Sequence, residues 1–461
     1  MALEDPTHPG AQASGASGNG TDGPQGTDPD EPASSANGPA PTAATARRPG
    51  ATGSLPVRRI NLSTLMRLVH TRGPLSRADL TRATGLNRST VGVLLAELSD
   101  HGRVVAGKPA PGRAVGRPSP LIHAAPGIAA ITVYPDADAL DVAVVSLTGK
   151  VTHRIRRAVA EPPTPEQTVA LTAQIIDEFA LDPGRVRPLG VGMAVPGLVR
   201  ARDGFVHMAP HLPWRDVPIA ELMRAGTDLP TWAGNDATLG TDAEAIFGAG
   251  RGAGTLVYLH GGSGGIGSGV RLGRAGARGG ADLLGEAGAP VEPGAPDAAR
   301  ADGGAYLPEL GHLMVNSEGV RCHCGAVGCL ETEVNLARLR GALPGRELPE
   351  GSRASELAEV LNAAGGIELP EVARQIGFLA TGIRNSVNAF APDLVLLGGF
   401  LGTLFDVAPR QLTSMVRDQL MPPLAAVQIR RGTLGSERIH IGAAEAVFEP
   451  LLRDPLGDHR G

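Results

Sequence analysis

The run Cys322-His323-Cys324-Gly325-Ala326-Val327-Gly328-Cys329 holds every cysteine of this 461-residue chain within eight positions. Three cysteines are an odd number, packed too locally for a disulfide framework, and their spacing with interleaved glycines suits a backbone folded around one metal ion. Three soft ligands need a fourth. His312, ten residues upstream in Glu309-Leu310-Gly311-His312, is the natural candidate, and His323 inside the knuckle is its competitor. A Cys3His set leaves no open coordination position, so a structural zinc ion (Zn2+) is expected rather than a hydrolytic one. The alternative is a redox-active loop, which usually uses a Cys-x-x-Cys pair in a different context.

Outward from this cluster, β-rich runs at Leu140–Val145, Leu189–Val195, Thr255–Leu259 and Leu394–Leu397 alternate with longer helix-compatible stretches. That alternation predicts an α/β domain over residues 124–452. Within it, residues 279–304 are rich in Gly, Ala, Pro and Asp and read as a flexible insertion in a loop. Residues 453–461 read as a C-terminal tail. Residues 1–54 are dominated by Gly, Ala, Ser, Thr, Pro and Asp and lack the apolar side chains that would offset ordering entropy, so a disordered tail is expected there.

Residues 55–123 differ from the rest in charge. They carry eleven Arg or Lys against Asp79, Glu97 and Asp100, about +8, while the whole chain has a net charge of -5. The remainder is therefore about -13, an asymmetry that suits a polyanionic partner for the basic segment. Leu62, Leu65, Met66 and Val69 follow the i, i+3, i+4, i+7 rule of an amphipathic helix. Ser76 and Asp79 resemble a capping box, with Leu80 and Ala83 as the apolar face of a second helix before a turn at Thr84-Gly85-Leu86. Asn87 fits the N-cap of a third helix, Arg88 to about Leu98, burying Val91, Leu94, Leu95 and Leu98. Arg88, Ser89 and Thr90 are then left outward, as a recognition helix requires. Arg103-Val104-Val105 and Pro120-Leu121-Ile122 could pair as a wing whose loop holds Lys108, Arg113 and Arg117. Arg77, Asn87, Arg88, Ser89, Thr90, Arg113 and Arg117 are the candidate contacts to double-stranded DNA in a winged helix-turn-helix (α+β) domain. A helical protein-binding module with a solvated basic face is the bland alternative.

The N-terminus shows no basic-then-apolar signal, and no stretch of about 18 apolar residues follows, so a cytoplasmic protein without a membrane partner is expected.

The Glu309–His312 and Cys322–Glu331 motifs resemble the ROK family of bacterial repressors and sugar kinases. Further blocks agree in order: Val195-Pro196-Gly197-Leu198-Val199, Pro213 to Pro218, Gly234-Asn235-Asp236-Ala237, and Pro392 to Gly399. The preceding basic segment is similar to the repressor branch. The resemblance implies an actin-like, two-lobed ATPase fold with a sugar in the cleft. It also implies that Asn235, Asp236, Glu309 and Glu331 contact sugar hydroxyls, that Gly197 allows close backbone approach, and that His312 binds zinc through one nitrogen while the other reaches the sugar. Carboxylates and an amide are the groups that discriminate hydroxyls, because a wrong ligand leaves them buried and unpaired.

In the family's kinases the residue at Asp236 would be the general base for attack on ATP. The first phosphate loop, usually Asp-x-Gly-Gly-Thr, here reads Val133-Tyr134-Pro135-Asp136-Ala137-Asp138, with Tyr134 and Pro135 out of pattern. Gly261 to Gly267 and Gly398-Gly399 survive, though tight turns use glycine with or without a nucleotide. The expectation is a non-enzymatic repressor of carbohydrate-related genes, a homodimer or homotetramer, with a sugar or sugar-phosphate effector. An ATP-dependent sugar kinase with an accessory DNA-binding domain is the alternative, and a protein-responsive regulator a third possibility.

Overall fold

The computed structural model describes residues 54–109, 120–262, 264–272, 308–343 and 354–458. The expected N-terminal tail up to residue 53, the wing-loop residues Arg113 and Arg117, and the insertion 279–304 lie outside the described residues.

The basic segment forms α1 (Ser54–Arg72), β1 (Leu75–Ser76), α2 (Arg77–Thr84), α3 (Arg88–Asp100), β2 (Val104–Pro109) and β3 (Pro120–Ala124). Leu62, Leu65, Met66 and Val69 are buried along one stripe of α1, as their spacing requires. α2 starts at a reciprocal Ser76–Asp79 capping box and stops at Gly85, left-handed at φ 69. α3 starts where Asn87 accepts from the Thr90 amide at 2.8 Å. Of the expected α2 face, Leu80 is buried but Ala83 is exposed, because the helix is only two turns long and Ala83 turns away from α1 and α3. β3 pairs antiparallel with both β1 and β2.

Next come β4 (Ile128–Pro135), β5 (Ala139–Ser146), β6 (Val151–Ala158), α4 (Pro165–Glu178) and β7 (Arg187–Val195), then β8 (Leu198–Arg200), β9 (Phe205–Ala209), β10 (Trp214–Val217), α5 (Ile219–Thr227), β11 (Thr231–Asn235) and α6 (Asp236–Ile246). A five-stranded sheet runs β11-β7-β4-β5-β6, parallel through its first three strands and antiparallel beyond, and β8 to β10 form a small antiparallel sheet. In the buried middle of the large sheet, Asp141 is 2% exposed; Arg154 donates to it at 2.6 Å, and His440 Nε2 lies 3.3 Å away.

A second lobe holds β12 (Leu256–Gly261), β13 (Ile266–Arg271), α7 (Leu330–Glu333), α8 (Leu336–Gly341), α9 (Ala354–Ala363), α10 (Pro370–Phe390), β14 (Leu394–Gly398), α11 (Gly399–Val407), α12 (Pro409–Arg417) and β15 (Gln428–Arg431). Its sheet, β13-β12-β14-β15, is again mixed. The chain then returns to the first lobe as α13 (Arg438–Arg453), which packs on α6, β7 and β4. The two returns past the lobe boundary meet at Glu244 of α6, 1% exposed, which accepts from the amides of Ala249 at 3.0 Å and Leu434 at 2.9 Å.

α1 rests on α13. His70, 3% exposed, has Nε2 3.0 Å from Glu445 Oε2 and hydrogen-bonds through Nδ1 to the Leu147 carbonyl. Arg67 pairs with Glu449 at 2.7 Å, and Ser63 donates to the Leu452 carbonyl at 2.6 Å. Arg103 donates to the carbonyls of Pro455 at 2.7 Å and Gly457 at 3.2 Å. One apolar cluster accordingly runs from Leu65 and Leu98 through Ala130 and Val145 to Phe448 and Leu452.

Candidate functional site

Two short elements position the metal-ligating side chains. A 3-10 turn, Leu310–His312, is anchored to β13 by Ser268, whose hydroxyl donates to the Pro308 carbonyl at 2.7 Å and accepts from the Leu310 amide at 2.9 Å. Opposite it the knuckle is pinched by the Cys322 amide donating to the Ala326 carbonyl at 2.8 Å. Gly328, at φ 69, presses on the Asn316 carbonyl where no Cβ would fit.

The donor atoms of His312, Cys322, Cys324 and Cys329 all lie within 4.8 Å of one another. Cys324 and Cys329 sulfurs are 3.6 Å apart, and Cys322 Sγ is 3.5 Å from His312 Nδ1. A tetrahedral ion with metal–sulfur bonds of about 2.3 Å has ligand–ligand edges of about 3.4–3.8 Å, so these residues fit one such ion. His323 converges instead on Glu331, with Nδ1 3.1 Å from Oε1, while His312 Nδ1 lies 3.5 Å from the same oxygen. His312 therefore belongs both to the set with the three thiols and to the set with His323 and Glu331, whereas His323 belongs to the carboxylate set.

The expected polar set gathers at the β11–α6 junction and around this centre. Asn235 caps α6, accepting from the Thr238 amide at 3.0 Å, and its amide donates to the Gly197 carbonyl at 3.1 Å. Gly197 itself is filled from within: a Cβ there would strike the backbone of Met208 and Ala209, so β9 uses the space its missing side chain leaves. Asp236 accepts from the Ala237 amide at 2.9 Å. Burial pushes its carboxyl up to about 6, against the opposing pull of Arg438 and with a smaller push from Glu309. Glu309 is also raised, by burial first, with the Glu331 charge adding to it and His312 opposing. Glu331, 9% exposed, sits where a side chain on Gly265 would have to go.

Arg77, Asn87, Arg88 and Ser89 are exposed on α2 and α3, and Thr90 is half-buried. Asn87 Oδ1 is committed to the α3 cap and to the Ser89 hydroxyl at 2.7 Å. Half-buried Tyr134 at the end of β4 packs against the buried cluster of Ala194, Ile439 and Ala443. Gly398 is held without a side chain by Tyr258 and the His260 ring, a packing reason independent of any nucleotide. Sequence reasoning missed Arg438, His260 and the second-set role of His323, since each looks like an ordinary helix, strand or knuckle residue when read alone.

The ROK family model matches residues 136–294 and 297–449. The chain is 25% identical over 424 residues to the xylose repressor of Caldicellulosiruptor bescii, covering 87% of this chain and 98% of the relative. It is 27% identical over 332 residues to the glucokinase of Thermotoga maritima, covering 68% and 90%. Among solved structures, a ROK family transcriptional regulator described as a homolog of the Escherichia coli Mlc protein superposes with a TM-score of 0.64 at 21% identity, covering 87% of this chain and 98% of the other. The mixed-sheet lobes, the knuckle and the matched residues agree: this chain belongs to the ROK family and has its actin-like kinase fold.

Proposed function

We propose that this protein is a DNA-binding repressor of carbohydrate-related genes whose operator affinity is set by a sugar or sugar phosphate in the cleft between its lobes. The observation that carries the reading is the seat of α1 on α13, the helix whose other end reaches the cleft at Arg438. A ligand that favours one lobe arrangement thereby biases the placement of the DNA-reading helices, which is what coupling between two sites requires. The likeness to the xylose repressor supports this: it covers 87% of the chain, against 68% for the glucokinase.

In this reading residues 55–123 are a winged helix-turn-helix domain that meets double-stranded DNA through Arg77, Asn87, Arg88, Ser89, Thr90, Arg113 and Arg117. Residues 124–452 are the ligand domain. Asn235, Asp236, Glu309, Glu331 and His312 receive the sugar hydroxyls. Zn2+ on His312, Cys322, Cys324 and Cys329 is structural, holding His312 and Glu331 as one wall of the pocket. The protein acts in the cytoplasm as a homodimer or homotetramer, since paired half-sites call for paired readers.

Fluorescence anisotropy with DNA from upstream of carbohydrate genes tests it: one fragment should outbind random DNA at least 100-fold at fixed salt, and one sugar should change that affinity. Equal binding to every sequence refutes it. The second reading, a sugar kinase, has one observation in its favour: Asp236, with its carboxyl raised to about 6, is suited to accept a hydroxyl proton. Turnover in a coupled assay that disappears in Asp236→Asn would establish that reading instead.

A further inference from the structure

Arg77, Asn87, Arg88, Ser89 and Thr90 sit on α2 and at the start of α3, yet the surface they occupy continues onto α1. An open groove runs between the two helices, walled by Val57, Arg58 and Asn61 of α1 and by Ser89, Thr90 and Val93 of α3. Its chemistry is mixed. Val57 and Val93, on opposite walls, are 55% and 61% exposed, although each is a large apolar side chain. Between them the Arg58 guanidinium donates to Glu97 Oε2 from Nη2 at 2.7 Å and from Nε at 3.1 Å. Both N–H groups end on one carboxylate oxygen, and about half of the Arg58 side chain stays open to solvent. An exposed pair of this kind contributes little to stability, so the guanidinium passes readily to another anion.

The sequence restricts which anion. From Ser54 to Asn61, α1 carries Arg58 and Arg59 and no carboxylate, and the groove opens beside Ser89 and Thr90, where the recognition helix begins. A chain of phosphates joined by apolar sugar rings matches arginine beside exposed valine, and phosphate and sugar contacts are what position a protein on DNA. Glu97 stands against that match. Of the three carboxylates in the basic segment, Asp79 closes the α2 capping box and Asp100 ends α3, whereas Glu97 lies on the stripe Ser89, Val93, Glu97, spaced at i, i+4 and i+8. A negative charge is thus held on the face that would meet DNA, and it occupies the cation nearest to it.

We propose that the groove between α1 and α3 seats the sugar-phosphate backbone of DNA beside the recognition helix, and that Glu97 is an internal competitor that holds Arg58 until a phosphate displaces it. The inference rests on the reading of residues 55–123 as a DNA-binding domain and adds α1 to its contact surface. A backbone contact carries no sequence information, so Arg58 sets affinity and salt dependence while the choice of operator stays with the residues that reach base edges.

Anisotropy titrations of the full chain over a series of salt concentrations, with the preferred DNA fragment and with random DNA, test this. Arg58→Gln should weaken binding to both by the same factor, about 5–20-fold, and the slope of log affinity against log salt should shrink by about 0.9. Glu97→Gln should bind both about 3–10-fold more tightly, and that gain should shrink in the double variant, where there is no arginine to release. Circular dichroism checks that the variants are folded. Wild-type affinity and slope in Arg58→Gln overturn the proposal. Weaker binding in Glu97→Gln also overturns it and makes the pair only a tie between α1 and α3. A gain of equal size with and without Arg58 would reduce Glu97 to plain repulsion of DNA and overturn the competitor role. A wild type that binds every sequence equally refutes the operator reading, while Arg58→Gln still decides the groove; no binding to any DNA refutes both.

Discussion

Replacing His70 by alanine is the sharpest test of the contact between α1 and α13. His70 is 3% exposed, has Glu445 at 3.0 Å, hydrogen-bonds to Leu147, and packs edge-on against Phe247 and Phe448 at centroid distances of 5.3 and 6.1 Å. Among the described residues Glu445 Oε1 already lacks a partner, so His70→Ala leaves a carboxylate without its imidazole partner in a largely buried site. Removing one partner of a buried pair costs about 3–5 kcal/mol. Glu445→Gln keeps a hydrogen-bonding group and should cost about 1–2 kcal/mol. The double substitution to alanine should cost less than the sum of the singles, with a coupling of about 1–3 kcal/mol. The pH dependence carries a sign. Burial lowers the His70 pKa, but the Glu445 charge and hydrogen bond, with the Leu147 carbonyl, outweigh it and leave the imidazole raised above 6.5. The pair's contribution is therefore complete below about pH 6.5 and is lost as pH rises through the higher folded value. Urea unfolding followed from pH 6 to pH 9 should show the loss in the wild type and a flatter curve in Glu445→Gln. Additive single substitutions, or identical pH curves, would refute the reasoning.

Metal analysis after dialysis should find one zinc per chain, and Cys329→Ser should lose it together with a lowered melting temperature; an unchanged metal content would exclude the Cys3His site. Asp141 is pushed up by burial but brought down to about 2 by His440 and Arg154, so its stabilising effect is present above pH 3.8 and lost as pH falls toward 2. Acid unfolding of Asp141→Asn should lack about 2 kcal/mol of that decline, read by circular dichroism between pH 5 and pH 2. Gly328→Ala places a Cβ on the Asn316 carbonyl at a left-handed backbone position, and should cost about 2 kcal/mol or more and weaken zinc retention in a competition with a chelator.

Much of this was legible from local pattern. The stripe on α1, the Ser76–Asp79 box and the Asn87 cap are set by neighbours three or four residues apart, and the structure has all of them. The metal cluster was legible because its ligands sit ten residues or fewer from their nearest partner. Sequence spacing left His312 and His323 as rivals; the folded turn at Leu310–His312 brings His312 to the thiols, and the knuckle sends His323 toward Glu331. Gly197 read as a place of close backbone approach, and in the fold the lack of a Cβ there also lets β9 pass against it. Arg438 and Glu445 were illegible for a different reason: their meaning comes from α6 and α1, some 200 and 375 residues away, and a helix pattern alone records only that one face is buried.

The meeting of α1 with α13 also has a consequence in time. During synthesis α1 emerges about 375 residues before its seat exists, roughly 20–75 s at ~5–20 residues per second. Until α13 is released, α1 packs only on α2, α3 and β3 of its own segment, the Glu445 side of His70 has no partner, and the basic segment is not yet seated. A product that stops short of Leu452 would keep the basic segment while lacking the contacts that seat it. Complete translation is thus a condition for the basic segment to take up its place on α13.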